Sequence, residues 1–466
     1  MSAVEALLRD SEQTDVVVVG AGMGGVTAAL AAVEDGASVT LLEKGAEPGG
    51  SFAISGGYVW TLRSLEDYRR LVPYGDPLLG RMLVDDFDTG IAWLVAHGVR
   101  FGPVHGGLGP DREGRGTRIE PDPVSGALTP MLAAFRAAGG HLQCSAPVVA
   151  LEYDSDGAVV GVRHRDAAGR VHVLRCSAVV LATGGFQNDA EMMARFVSPW
   201  CDRALLRSSP HSTGDGLRLA LAAGASVSGG LNAVYGHVMP AYPREPDPGA
   251  FRALTQFYVE ECILLNLRGE RFVDESRAEA ACGLELLHQP EARGFIVFDE
   301  RRHRAEVMEP FVPDALRVDP VEVIRAAGGV VLQSETREEL CRAMAEHAVP
   351  YATSLSTIAG FDAAASAGDA STLPVSRARG LHRCDTPPFF AVPVRAGITF
   401  TEGGVRVDTE CRALDRDGRP IPGLFVAGVD AGNVSNVGYA GALSAALVTG
   451  LRAGVYAARR QPAVAR

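Results

Sequence analysis

Several absences narrow the possibilities before any motif is read. Eight cysteines are scattered through 466 residues with no CxxC and no close Cys/His pair, so the spacing supports neither zinc, an iron–sulfur cluster nor a redox disulfide. The expectation is buried thiols in a reducing cytoplasm, with no metal. Positive charge is also short: the formal net charge is −12 and the sequence pI about 5.5, which would repel a nucleic-acid backbone at long range. No uninterrupted apolar run approaches the roughly eighteen residues that a bilayer span needs, so membrane insertion is not expected. The first fifteen residues carry Glu5, Asp10, Glu12 and Asp15 instead of a basic-then-apolar leader, which argues against secretion. There is no internal repeat, and the 54 glycines cluster at turns without forming a low-complexity tract.

What remains is the composition of an ordinary globular protein, 47% apolar and 21% charged, long enough for two domains with one inserted in the other. The most telling stretch lies near the start. Val16 to Val19 read as a buried strand and run into Gly20-Ala21-Gly22-Met23-Gly24-Gly25, a glycine turn that opens a helix. A second apolar run to Leu42 then ends on Glu43. In this pattern Gly20 makes the tight turn, Gly22 lets backbone approach a pyrophosphate, and Gly25 permits close packing of helix on strand. The helix start presents N–H groups and a positive dipole end to the phosphates, while the acid accepts hydrogen bonds from ribose hydroxyls. The expectation is a dinucleotide without a 2′-phosphate.

Further along, helical patterns cover 65–71, 77–98 and 128–139. Three alternating segments at 147–153, 158–164 and 169–176 read as a small meander, and the apolar run 178–182 as a buried parallel strand. Thr213-Gly214-Asp215-Gly216 opens a helix over 217–225, with Thr213 or Asp215 as its N-cap. Prolines 240, 243, 246 and 248 mark a crossing into a block of mixed character; strands at 405–407 and 424–427 and a helix from Gly441 to about Ala458 follow. A two-dinucleotide reductase would need a second glycine motif opening a helix in mid-chain, and there is none. The glycine–serine loop after Glu43 instead suits a flavin, whose ribityl-diphosphate needs backbone donors and hydroxyls along its length.

Five segments occur in order: Glu43-Lys44 to Gly57, Ala182-Thr183-Gly184-Gly185-Phe186, Thr213 to Gly216, Gly269-Glu270-Arg271-Phe272-Val273-Asp274-Glu275, and Gly423-Leu424-Phe425-Val426-Ala427-Gly428. Together they resemble the FAD-dependent fumarate reductase/succinate dehydrogenase flavoprotein family, nearest its 3-ketosteroid dehydrogenase and tricarballylate dehydrogenase-like branches. The resemblance implies an α/β architecture: a discontinuous Rossmann-like FAD-binding domain, 1–230 and 388–466, with an inserted α+β capping domain, 231–387, and substrate held between cap and flavin. It further implies FAD contacts at Gly20, Gly22, Met23, Gly24, Gly25, Glu43 and Lys44, then at Gly49, Gly50, Ser51, Ser55, Gly56 and Gly57. Later contacts fall at Val148, Ala182, Thr183, Gly184, Asp215, Gly428 and Asp430, and at Ala442, Leu443 and Ser444. Asp215 is equally readable as a helix cap. Asp430 replaces the glutamate usual in the family. Positions 45 to 61 hold no histidine, so the FAD is expected to be non-covalent.

The family reaction moves hydride between flavin N5 and a carbon beside a carbonyl or carboxylate, while an acid/base moves a proton at the neighbouring carbon. This chain departs from the dicarboxylate clamp: Gly438-Tyr439-Ala440-Gly441-Ala442 stands where the family arginine lies, and Thr399-Phe400-Thr401-Glu402-Gly403-Gly404 where its histidine precedes Thr-Met-Gly-Gly. Losing a bidentate guanidinium weakens carboxylate binding. The expected reaction is therefore α,β-dehydrogenation of a cyclic or polyketide-like ketone, or the reverse C=C reduction. Tyr439 is the first candidate for proton transfer or carbonyl polarisation, and His237 for substrate binding. Arg277 lies near the family's proton-donating arginine, though a surface role suits its spacing better. The alternatives are a tricarballylate-type acid dehydrogenase holding carboxylates with Arg277, Arg395 and His237, and an electron-transfer subunit that needs a partner. The electron acceptor, oxygen or another molecule, is not identified.

Overall fold

The computed structural model describes residues 12–106, 114–120, 123–310 and 317–460. The acidic start read above therefore lies mostly outside the described residues. The chain divides into two units, 1–192 with 208–234 and 400–466, and 193–207 with 235–399.

The first unit is built on a six-stranded sheet. In chain order its strands are β1 (Val16–Val19), β2 (Val39–Leu42), β3 (His141–Gln143), β4 (Ala178–Leu181), β5 (Arg412–Leu414) and β6 (Pro420–Val426), and their spatial order is β5-β6-β4-β1-β2-β3. β1 pairs in parallel with both β2 and β4, so it is buried on both faces, and a run of four valines satisfies that environment. β5 is antiparallel to β6 at the edge. The three alternating segments form an antiparallel meander over Val148–Tyr153, Val159–Arg165 and Val171–Arg175. Residues 405–407 contribute only isolated bridges and no strand.

Helix α1 (Met23–Glu34) follows β1, and α2 (Ala442–Ala458) closes the unit. The two pack at backbone distance: a Cβ on Gly450 would stand 2.6 Å from the Gly24 carbonyl oxygen. Gly20 sits at φ +101, and a Cβ on Gly25 would fall 1.7 Å from the Gly20 carbonyl oxygen. Glycine is required at both positions, by backbone conformation in the first and by close approach in the second.

The second unit centres on the long strand Phe389–Thr401, which pairs with Arg293–Asp299, Leu205–Leu206, Val234–Pro240 and Leu332–Ser334; Ile263–Asn266 pairs beyond Arg293–Asp299. Helices Arg337–Ala345 and Tyr351–Ala367 supply the other side of a core that includes Phe295, Leu340, Met344, Ile358 and Phe361. The compact units divide at 192/193, 207/208, 234/235 and 399/400. Segment 193–207 belongs with this unit because Leu205 and Leu206 add a parallel pairing to Gly397 and Ile398. A two-residue strand has no periodicity for a sequence reading to detect.

Candidate active site

In the first unit, the glycine turn and the acid after β2 form one structure. Glu43 is buried, and its carboxylate accepts the N–H of Ala21 at 2.7 Å and of Gly45 at 2.6 Å, which locks it between the turn and the following loop. The N-terminus of α1 has no side-chain cap and no acid in its first turn, so its free N–H groups and dipole are left for an external anion. Cβ atoms built on Gly22 and Gly50 meet nothing closer than 3.9 and 3.8 Å. A clear path therefore runs between the turn and the glycine–serine loop. This donor set, the clamped acid and the open glycine path fit the pyrophosphate and ribose of FAD.

The loop is itself anchored. Gly49 N–H donates to the Ala21 carbonyl at 2.9 Å, Ser51 and Ser208 share a hydroxyl–hydroxyl bond of 2.9 Å, and Gly57 N–H reaches Ser55 Oγ at 3.3 Å. Gly56 offers its carbonyl to Arg118. Lys44, the chain's one lysine, donates to Asp215 and to Thr213 Oγ1, both at 2.7 Å. The helix there spans Asp215–Ala222, and its N-cap is Gly214 in the left-handed region with no side-chain cap bond. Neither Thr213 nor Asp215 caps it, because both side chains are drawn to the Lys44 ammonium.

Past β4, Ala182 continues the strand pairing with its N–H on the Val19 carbonyl, and Gly184 turns at φ +84. Thr183 donates its N–H and hydroxyl to Asp430, while Gly216 N–H donates to Thr183 Oγ1 at 2.8 Å. Asp430 thus ties the end of β4 to the segment after β6. Burial pushes its carboxyl up to about 7 against the lowering effect of the Thr183 bonds. Gly428 donates its N–H to Thr449 of α2, and Val148 opens its meander strand buried.

Tyr439 lies just before α2. Its phenol oxygen accepts the Ala442 N–H at 3.1 Å, and its ring stands edge-on to Trp60 at 5.3 Å. Ser444 bonds back to the Gly441 carbonyl at 2.9 Å, and Leu443 packs against the core of the unit. Burial raises the phenol above its ordinary value, more than the Ala442 N–H lowers it. A raised pKa suits a hydrogen-bond or proton donor and opposes service as a base.

Glu402, to which the sequence reading gave no role, is buried in the same unit. It lines a small cavity with Phe400, Gly428, Val434, Ala442 and Ala445, and accepts the Val437 N–H at 2.7 Å. Val437 holds φ +54, a conformation that a β-branched residue adopts only under constraint. Burial pushes Glu402 up to about 7.

In the second unit, His237 is buried, with Nδ1 3.0 Å from the Glu279 carboxylate, which also accepts the Val238 N–H at 2.6 Å. Burial lowers the histidine, the nearby Arg207 lowers it further, and Glu279 partly offsets both. Neutral imidazole donating from Nδ1 to Glu279 presents Nε2 as an acceptor. Arg277 is exposed and joins no cluster described here. The motif around it is structural: Glu275 is fully buried and takes Arg271 Nε at 2.9 Å and Arg377 Nη1 at 3.1 Å. The sequence pattern contained Arg271 and Glu275, but Arg377 enters from 102 positions away.

Among the described residues no group of three or more His, Cys, Asp or Glu side chains could hold a metal, and no helix is long and apolar enough to cross a membrane.

The family model described as the FAD binding domain matches residues 15–444. The chain is 28% identical over 479 residues to the vinyl phenol reductase of Lactiplantibacillus plantarum, covering 93% of this chain and 92% of that protein. It is also 28% identical over 540 residues to the 4-oxocyclohexanecarboxylate 2-dehydrogenase of Sinomonas cyclohexanicum, covering 92% and 89%. The solved 3-ketosteroid-Δ4-(5α)-dehydrogenase from Rhodococcus jostii RHA1 shares the fold with a TM-score of 0.75 at 23% identity, over 96% of this chain and 97% of that one. The chain belongs to the FAD binding domain family, and it is an FAD-dependent oxidoreductase acting on C=C and CH–CH bonds.

Proposed function

We propose that this enzyme dehydrogenates, or in reverse reduces, the carbon–carbon bond next to the carbonyl of a cyclic ketone. When bound, FAD supplies the two-electron acceptor or donor for that exchange. The chain's own contribution is proton management and polarisation. Tyr439, kept protonated by burial, donates to the carbonyl oxygen as negative charge develops there. The Ala442 N–H on its oxygen and the uncapped start of α2 favour negative charge at that end of the helix.

The observation that carries the reading is the half-buried phenol at the N-terminus of α2, which accepts the Ala442 N–H. The name of the Sinomonas relative, which specifies a ring ketone, supports the substrate class. The test is anaerobic titration with cyclohexanone- and cyclohexenone-type compounds while following the flavin absorbance. Tyr439→Phe is expected to keep FAD and to slow substrate-driven bleaching by about a hundredfold or more, the range of a lost proton donor. Unchanged bleaching in the variant would remove Tyr439 from the chemistry.

A further inference from the structure

Glu402 is a carboxylate that the first unit keeps dry and leaves without a counter-charge. The residue is only 5% exposed. Its Oε2 accepts the Val437 N–H at 2.7 Å, and among the described residues its Oε1 has no hydrogen-bond partner. No cation of those residues acts on it. Its own backbone bonds run to neutral neighbours, the Ala233 carbonyl and the Asn433 N–H. The titratable groups that feel its charge are two phenols: Tyr68, on the helix Leu65–Leu71, and Tyr439, ahead of α2. Tyr68 already donates its proton to the Val434 carbonyl at 2.9 Å, and the neighbouring buried acid, Asp430, is turned to Thr183.

The cavity that Glu402 lines continues the FAD cradle. Glu43, whose place suits the adenosine ribose, follows β2, whereas Gly428, which lines the cavity, follows β6 on the other side of β1. Gly428 also abuts the helix that receives the diphosphate: a Cβ on Gly24 would stand 3.1 Å from its nitrogen. A dinucleotide laid across the glycine turn with its ribose at Glu43 therefore directs its other end, the ribityl chain and ring, toward Gly428. Ala442 and Ala445 of α2 line the same cavity, and the start of that helix carries no side-chain cap. Its dipole favours negative charge there, and the pyrimidine half of a flavin gains negative charge on two-electron reduction. Two like charges in one dry cavity raise each other's affinity for protons.

We propose that Glu402 faces the flavin ring and takes up a proton as the ring is reduced, so that two protons accompany the two electrons where the ring alone takes one. In the balance, two electrons and one proton go to the ring, which becomes an anion, and one solvent proton neutralises the Glu402 carboxylate. The electrons are those of the CH–CH exchange or of an electrode. Before reduction the carboxyl titrates at about 7, so the extra proton is taken up above that pH and not well below it, where Glu402 already holds it.

The experiment is spectroelectrochemical titration of the FAD-loaded wild type, Glu402→Gln and Glu402→Met over a range of pH. Each proton taken up with the electron pair changes the equilibrium tenfold per pH unit, which is about 30 mV for a two-electron couple. Between roughly pH 7.5 and 8.5 the wild-type midpoint potential should fall by about 60 mV per pH unit, and by about 30 mV in both neutral variants. A Glu402 that only supports the Val437 turn would offset the potential by a constant and leave the slopes equal. A wild-type slope of about 30 mV per pH unit, or a slope of about 60 mV kept by a neutral variant, would overturn the proposal. FAD content identifies a variant that fails to fold, and the wild-type slope decides by itself in that event. No substrate enters the measurement, so its outcome is independent of the ring-ketone reading.

Discussion

Glu402 offers a quantitative check on how this fold treats buried charge. Its carboxyl moves from 4.5 to about 7, with burial as the main cause and the Val437 N–H opposing it. At about 1.4 kcal/mol per pH decade, ionising it in the folded state costs about 3 kcal/mol more than in the unfolded chain. The sign follows from proton counting: between 4.5 and about 7 the folded state holds the proton that the unfolded state has released, so stability falls as pH rises through that window. Glu402→Gln stays neutral and can still accept the Val437 N–H through its amide oxygen, which preserves the strained Val437 turn. Denaturant unfolding of both FAD-loaded proteins at pH 5, 6, 7 and 8 should show the variant gaining relative to wild type with each step, approaching about 3 kcal/mol above pH 7. Asp430 titrates near 7 as well, but it is present in both proteins and cancels from the difference. Curves that stay parallel across the series would mean that Glu402 is ionised without penalty, and the account of its burial would be wrong.

Gly25→Ala places a methyl 1.7 Å from the Gly20 carbonyl oxygen, so purified protein should carry little or no FAD, read from its visible absorbance. Glu275→Gln leaves Arg271 and Arg377 buried without their shared anion; unfolding should show a loss of about 3–5 kcal/mol, and a loss under 1 kcal/mol would contradict the role assigned to that cluster.

Legibility in the sequence followed the range of the interactions. The glycine turn, the valine strand, the acid after β2 and the three-segment meander are set by residues within a few dozen positions, and their periodicity and turn chemistry stand in the chain for anyone to read. The helix after Gly214 lacks the side-chain cap its sequence suggests because Lys44, 171 positions away, takes up Asp215. Arg277 drew attention through its motif, yet the fold turns it outward and buries Arg271 and Glu275 with Arg377. Glu402 stands inside the Thr399–Gly404 segment, yet nothing in that segment marks it as special: an ordinary carboxylate becomes unusual only when burial removes water from it.

The amino-acid order alone determined the nucleotide-binding frame, because glycine's conformational freedom and close-packing tolerance belong to the residue and need no partner to express themselves. Only the tertiary structure decided which charged side chains are buried and which partners they meet, since a pKa depends on the solvent excluded and the groups brought near by distant parts of the chain.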